Sequence, residues 1–158
     1  MNKLQQIIAF LCSEYPNKSE ITKARLTKMV YLADWFSALL DSKQLTGIEW
    51  VFNHYGPYVD DVVNAVQNAP GFNIEHQSTM YGDSKYVISY HGNPKEIQLE
   101  QREKDILKAV IDKTRPLYFN DFINYVYSTY PVKTKERYST LDLVSLAKQY
   151  KEEIPAHY

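Results

Sequence analysis

The stretch that most restricts the fold is LTKMVYLADWFSALL, beginning at Leu26. Leu26, Met29, Val30, Ala33, Phe36 and Leu40 recur at three- and four-residue steps, the spacing of one helical face. Leu32, Trp35 and Leu39 widen that face beyond what a helix resting on a core requires. Only Lys23, Arg25, Lys28 and Asp34 interrupt the apolar character. Such a helix has to be enclosed on more than one side, so the rest of the chain must supply layers around it. Burying Trp35 or Phe36 contributes about 1.5–3 kcal/mol each, and truncating either to alanine is expected to cost about 3–5 kcal/mol.

The surrounding segments are short and sharply punctuated. Leu4, Ile7, Ile8, Leu11, Cys12 and Tyr15 predict a first helix over about 2–14, stopped by Pro16. Asn17, Ser19 and Thr22 each offer a cap for the central helix. After a polar break, 48–52 is rich in β-formers and predicts a strand. Gly56-Pro57 then follows, with Pro57 placed to open a helix that Val59, Val62, Val63 and Val66 carry to about residue 68. Alternation over 72–90 around Tyr81-Gly82-Asp83-Ser84 predicts a β-hairpin, expected to join the 48–52 strand in one small sheet. Leu99, Glu103, Ile106, Leu107, Val110 and Ile111 mark a helix over about 100–114. Phe119, Phe122, Ile123, Val126 and Tyr130 mark another, ending at Pro131, and a last helix starts near Thr140. The expected fold is α+β and mostly helical. It has a central buried helix, about six helices and a small antiparallel sheet, in a single domain spanning 1–158.

Composition narrows the function classes. A net charge of −1 provides no basic field for nucleic acid. The small clusters Lys23/Arg25/Lys28 and Lys133/Lys135/Arg137 are expected to be solvated surface. Cys12, the single cysteine, permits no internal disulfide and sits on an apolar stripe, which fits a reducing cytoplasmic setting. No run approaches the roughly 18 apolar residues of a membrane span. His54, His76, His91 and His157 lack metal-ligand spacing, so neither a metal nor another cofactor is expected. Asp60-Asp61 fits a helix start better than an acid/base pair, and no nucleophile elbow or phosphate loop is present. The fourteen tyrosines are the unusual count. Tyrosine suits wet cores and interfaces equally well.

The run LTKMVYLADWF, followed by TGIEWVFNHYGPYVDDV, resembles the Panacea antitoxin domain, the family of SocA-like and prophage-associated antitoxins. The residues that carry the resemblance are Lys28-Met29-Val30-Tyr31-Leu32-Ala33-Asp34 and Tyr55-Gly56-Pro57, with FINYVYSTYPVKTKERYSTLDL similar to the family's later segment. The resemblance implies a non-enzymatic antitoxin that neutralises a toxin encoded by an adjacent gene through direct protein–protein binding. It also implies an alternative, an adaptor that delivers the toxin to a Clp-type protease. Some members add a helix-turn-helix domain, for which this chain has no room, so DNA-binding autoregulation is not expected.

Within this frame Lys28, Tyr31, Ala33, Trp35, Gly56 and Pro57 are expected to serve the fold. Asp34, His54, Tyr55, Tyr58, Tyr118, Tyr127 and Tyr138 are candidates for partner contact, with Asp34, His54 and Tyr58 expected at the surface. Two other classes compete: a winged-helix-like DNA-binding regulator, and an enzyme using His54 with Asp60 or Asp61. A homo-oligomer is compatible with the composition, and the toxin's identity is not encoded here.

Overall fold

The computed structural model describes residues 1–78 and 80–153. Seven α-helices and five short strands alternate along them: α1 (Lys3–Glu14), α2 (Lys23–Asp41), β1 (Trp50–Asn53), β2 (Gly56–Pro57), α3 (Asp61–Val66), β3 (Phe72–Ser78), β4 (Ser84–Tyr90), α4 (Gln101–Thr114), α5 (Phe119–Ser128), α6 (Tyr130–Thr134), β5 (Thr140–Leu141) and α7 (Leu143–Glu153). The fold is α+β and mostly helical, with seven helices where about six were expected.

Helix α2 is the axis of the packing. Thr22 caps it, its side chain accepting from the Arg25 backbone N–H, and Ser42 ends it in a left-handed conformation at φ 57°. Every residue from Arg25 to Trp35 is buried. α1, α3, α4, α5, α7 and β4 all pack against α2, which explains why its apolar residues run around the helix. Leu40, expected in the buried stripe, is 60% exposed, while Ala38 and Leu39 of the same turn still face the core. One core cluster joins Ile7, Ile8 and Leu11 of α1 to Leu26, Met29 and Val30 of α2 and to Leu143 and Leu146 of α7.

The strands differ from expectation in their partners. β1 pairs antiparallel with β2 on one edge and with β5 on the other, whereas β3 and β4 form a separate two-stranded hairpin. With both edges of β1 occupied, the 72–90 hairpin has no place in that sheet. It instead leans on the segment ahead of α2, where the Ile88 N–H donates to the Ile21 carbonyl at 2.8 Å and Val87 bridges Thr22.

Three boundaries shift for identifiable reasons. Pro57 does not open a helix. It lies in the edge strand β2 opposite Phe52, a position where a missing N–H is tolerated, and α3 starts at Asp61. Pro131 does not close α5, which already ends at Ser128, but sits in the first turn of α6. Thr140 and Leu141 are taken up as β5, so the last helix begins at Leu143, with the Asp142 carboxylate accepting from the Ser145 N–H.

Candidate functional site

Two charged side chains of α2 point to opposite ends of its surroundings. Asp34 was expected at the surface; the structure corrects this, with Asp34 at 0% exposure. Its Oδ1 accepts from the backbone N–H groups of Leu45 and Thr46, both at 2.9 Å. Its Oδ2 accepts from the Thr46 hydroxyl at 2.5 Å and from the Trp50 indole N–H at 2.8 Å. Burial pushes the carboxyl up to about 6, while the hydrogen bonds from Thr46, Trp50 and Leu45 pull it back. Through these bonds Asp34 ties the 42–48 loop and β1 to the central helix. A partner has no access to it.

Lys28 lies on another side. Its position next to β2 follows from a tight hairpin. Asn53 opposes Gly56, so His54 and Tyr55 form a two-residue tip. Neither has positive φ; Gly56 does, at φ +100°, and takes up the backbone turn that a side chain would resist. A Cβ on Gly56 would stand 3.4 Å from the Tyr127 ring and 3.7 Å from Lys28 Cε. Those are ordinary contact distances, so the backbone twist rather than lack of space calls for glycine here, and the hairpin packs directly against α2 and α5.

Between these three elements runs a groove of about 810 Å³. Ala24 and Lys28 of α2 form one wall, Phe119, Ile123 and Tyr127 of α5 another, and His54, Tyr55 and Tyr58 the hairpin end. The α5 residues recur every four positions, which places them on one helical face. A second depression of about 550 Å³ shares Ala24 and Phe119 with the first and extends past Glu20, Lys23, Lys85, Tyr86 and Tyr118; the two adjoin, and together they are called the trough below. Tyr55 is 75% exposed and Tyr118 81%. Tyr138, on the far side of the tip, places its hydroxyl 3.3 Å from His54 Nδ1.

Family comparison falls on the same elements. The model for the SocA-like antitoxin, Panacea domain, matches residues 26–131. The chain belongs to this family. No curated protein and no solved structure matches it. The matched residues of this Panacea domain include α2 from Leu26 onward, the β1–β2 hairpin and α5, and so most of the three walls of the groove, Ala24 lying just ahead of the match.

The structure sorts the expected residues. His54, Tyr55, Tyr58 and Tyr127 line the groove, Tyr118 lines its extension, Tyr138 adjoins it, and Asp34 lies apart. Of the residues expected to serve the fold, Tyr31 packs edge-on against Trp50 at 5.6 Å and bonds the Thr129 hydroxyl at 2.8 Å. Trp35 packs on Tyr150. Lys28, also expected to serve the fold, lines the groove. Phe119 and Ile123, expected from sequence only as part of the helical apolar stripe, also line it, as do Asn120 and Asn124, which the sequence does not single out. The four-residue repeat of Phe119, Ile123 and Tyr127, leaning away from the buried Phe122 and Val126, was the available signal.

The other candidate chemistries lose their geometry. Asp60 and Asp61 do not line the groove that His54 faces. Arg25 is no surface cation. Its guanidinium donates to the Tyr15 hydroxyl at 2.6 Å and to the Thr114 and Leu117 carbonyls at 2.7 and 2.9 Å, and it stacks 4.4 Å from the Phe122 ring. The Lys23/Arg25/Lys28 cluster expected as solvated surface is thus largely internal. Cys12 is buried and its thiol is pushed up to about 12 by desolvation. Among the described residues no cluster of His, Cys, Asp and Glu is placed to hold a metal ion, and His157 lies outside them. No helix among the described residues is long and apolar enough to cross a membrane.

Proposed function

We propose that this chain is an antitoxin that neutralises a toxin encoded by an adjacent gene, in the cytoplasm, by direct binding and without catalysis. The family match over 26–131 carries the reading, and the aromatic trough supplies a surface suited to it. A specific complex buries about 1,200–2,000 Å² in total, with a few aromatic and arginine anchors supplying most of the energy. Tyr55, Tyr118 and Phe119, exposed along one trough, have that character. The functional unit is proposed to span 1–158 rather than the matched residues alone, because α1 and α7 share one core with α2.

Co-expression tests this directly. The neighbouring open reading frame should arrest growth alone, growth should return when this chain is present, and the two should co-purify. A neighbour that is harmless alone, or that stays toxic beside this chain, removes the reading. Loss of protection in cells lacking Clp-type proteases, with the toxin persisting, would make the chain an adaptor rather than a stoichiometric inhibitor.

A further inference from the structure

Lys28 is 2% exposed. Its only aromatic neighbour at cation–π range is Tyr58, with Nζ 5.9 Å from the ring centre. The ion pairs of the described residues join Lys3 to Glu103, Arg25 to Glu20 and Arg102 to Asp41, leaving Lys28 without a carboxylate. No hydrogen bond is made by its ammonium, and burial alone lowers it, to about 8, with no opposing charge holding it up. Buried charges are normally paired, since desolvation costs more than solitary burial returns. Here the ammonium, without a protein partner, keeps only a sliver of solvent contact in the wall of an open groove; no acidic residue lines that groove, and Glu20 belongs to the adjoining depression.

We propose that Lys28 is the seat for one carboxylate of the bound partner, an aspartate or glutamate side chain flanked by apolar residues that fill the Phe119–Ile123–Tyr127 face. Charge complementarity selects a carboxylate. One lysine balances one negative charge; Lys28 is the one lysine or arginine lining this groove, while Lys23 and Lys85 line the adjoining depression, so no arginine fork or paired cation faces the seat for a phosphate dianion. Asn120 and Asn124 line the same groove, and an asparagine side chain offers neutral N–H donors for the second carboxylate oxygen. The apolar α5 face excludes water from the pair, which strengthens it. Identifying the partner as the toxin rests on the antitoxin reading; the carboxylate seat itself does not.

The full chain is titrated with phenylacetate and, separately, with its neutral isostere phenylacetamide, following groove resonances by NMR. Phenylacetate should bind at least about tenfold more tightly, a margin a single desolvated charge pair readily provides, and Lys28→Met should erase the preference. Equal binding of acid and amide, binding of neither, or a preference that survives in Lys28→Met overturns the proposal. The second arm uses the neighbouring gene's product. Lys28→Met should weaken the complex at least about tenfold while melting no lower than wild type. Wild-type and Lys28→Met chains that protect equally well overturn the carboxylate seat and leave the antitoxin function standing. A wild-type chain that never binds that product removes the antitoxin function, and the phenylacetate titration still decides the seat.

Discussion

Six residues apart on α2, Lys28 and Asp34 are buried to nearly the same degree, and their surroundings treat them in opposite ways. Asp34 receives two backbone N–H groups, a hydroxyl and an indole N–H. Lys28 receives an aromatic ring nearly 6 Å away and no anion. A buried charge that is fully solvated by protein donors fixes local structure. A buried charge without a counterpart lowers stability, and among the described residues no anion faces Lys28. The comparison separates the two halves of one sequence motif: its aspartate end builds the fold, and its lysine end faces outward into the trough.

Removing Asp34 should have the largest effect. Asp34→Ala orphans the Trp50 indole N–H and the backbone N–H groups of Leu45 and Thr46, so a loss of about 3–5 kcal/mol is expected in urea unfolding. Trp35→Ala should cost a similar 3–5 kcal/mol through cavity formation. A cost under about 1 kcal/mol for Asp34→Ala would mean that the 42–48 loop is held by other contacts, and the contrast with Lys28 would collapse.

Lys28→Met should move stability the other way. Lowering the ammonium from 10.5 to about 8 corresponds to a penalty of roughly 3 kcal/mol for the charged form. Methionine matches the lysine stem in length and shape, so the variant should gain about 1–3 kcal/mol. A destabilised Lys28→Met would show that the ammonium is better satisfied than its neighbours indicate.

The sign of the pH dependence sharpens the same point. Lys28 loses its proton in the fold near pH 8 but in the unfolded chain only near 10.5. Between those values the unfolded chain holds a proton that the fold lacks, so stability through this group rises with pH. Its penalty is present in full below pH 8 and gone by about 10.5. The stability advantage of Lys28→Met over wild type should therefore be greatest near pH 7 and shrink steadily above pH 8. Taking the difference cancels the tyrosines, which titrate in both proteins. An advantage that is flat from pH 7 to 10 would show that Lys28 titrates normally.

How much of this was legible in the sequence follows from which forces act locally. The helix of Leu26 to Trp35 and its enclosure could be read because apolar periodicity is a local property of the chain. The strand partners could not. Whether β1 meets the 72–90 hairpin or residues 140–141 depends on contacts distant in sequence, and short strands carry too little pattern to choose. The two prolines read ambiguously for a related reason: a fixed φ near −65° suits a helix start and an edge strand alike, as at Pro57, and a proline that ends one helix can equally open the next, as at Pro131. Among the candidate contact residues, the tyrosines were found through their surplus over helical stripes. Asp34 was misjudged because a carboxylate in an apolar helix reads as surface until its donors, eleven to sixteen residues onward, are known. Lys28 was placed with the fold for the complementary reason: it shares the motif with Tyr31 and Asp34, and no local signal marks a cation whose partner is missing.

The smallest effects on stability belong to the trough's exposed aromatics, and there the comparison extends from charges to rings. Tyr118 is 81% exposed at the start of α5, so Tyr118→Ala should change stability by no more than about 0.5 kcal/mol. Tyr58 is half-buried beside Lys28, and Tyr58→Ala should cost somewhat more, on the order of 1 kcal/mol. If the trough is the docking surface, each substitution should still weaken toxin binding by about 1–2 kcal/mol, roughly five- to thirtyfold in Kd. Trp35→Ala serves as the contrast, because it should lower melting temperature and binding together. Calorimetry of the free proteins beside binding titrations with the neighbouring gene's product separates the two patterns. Tyr118→Ala and Tyr58→Ala chains that bind as tightly as wild type would move the docking surface off the trough altogether.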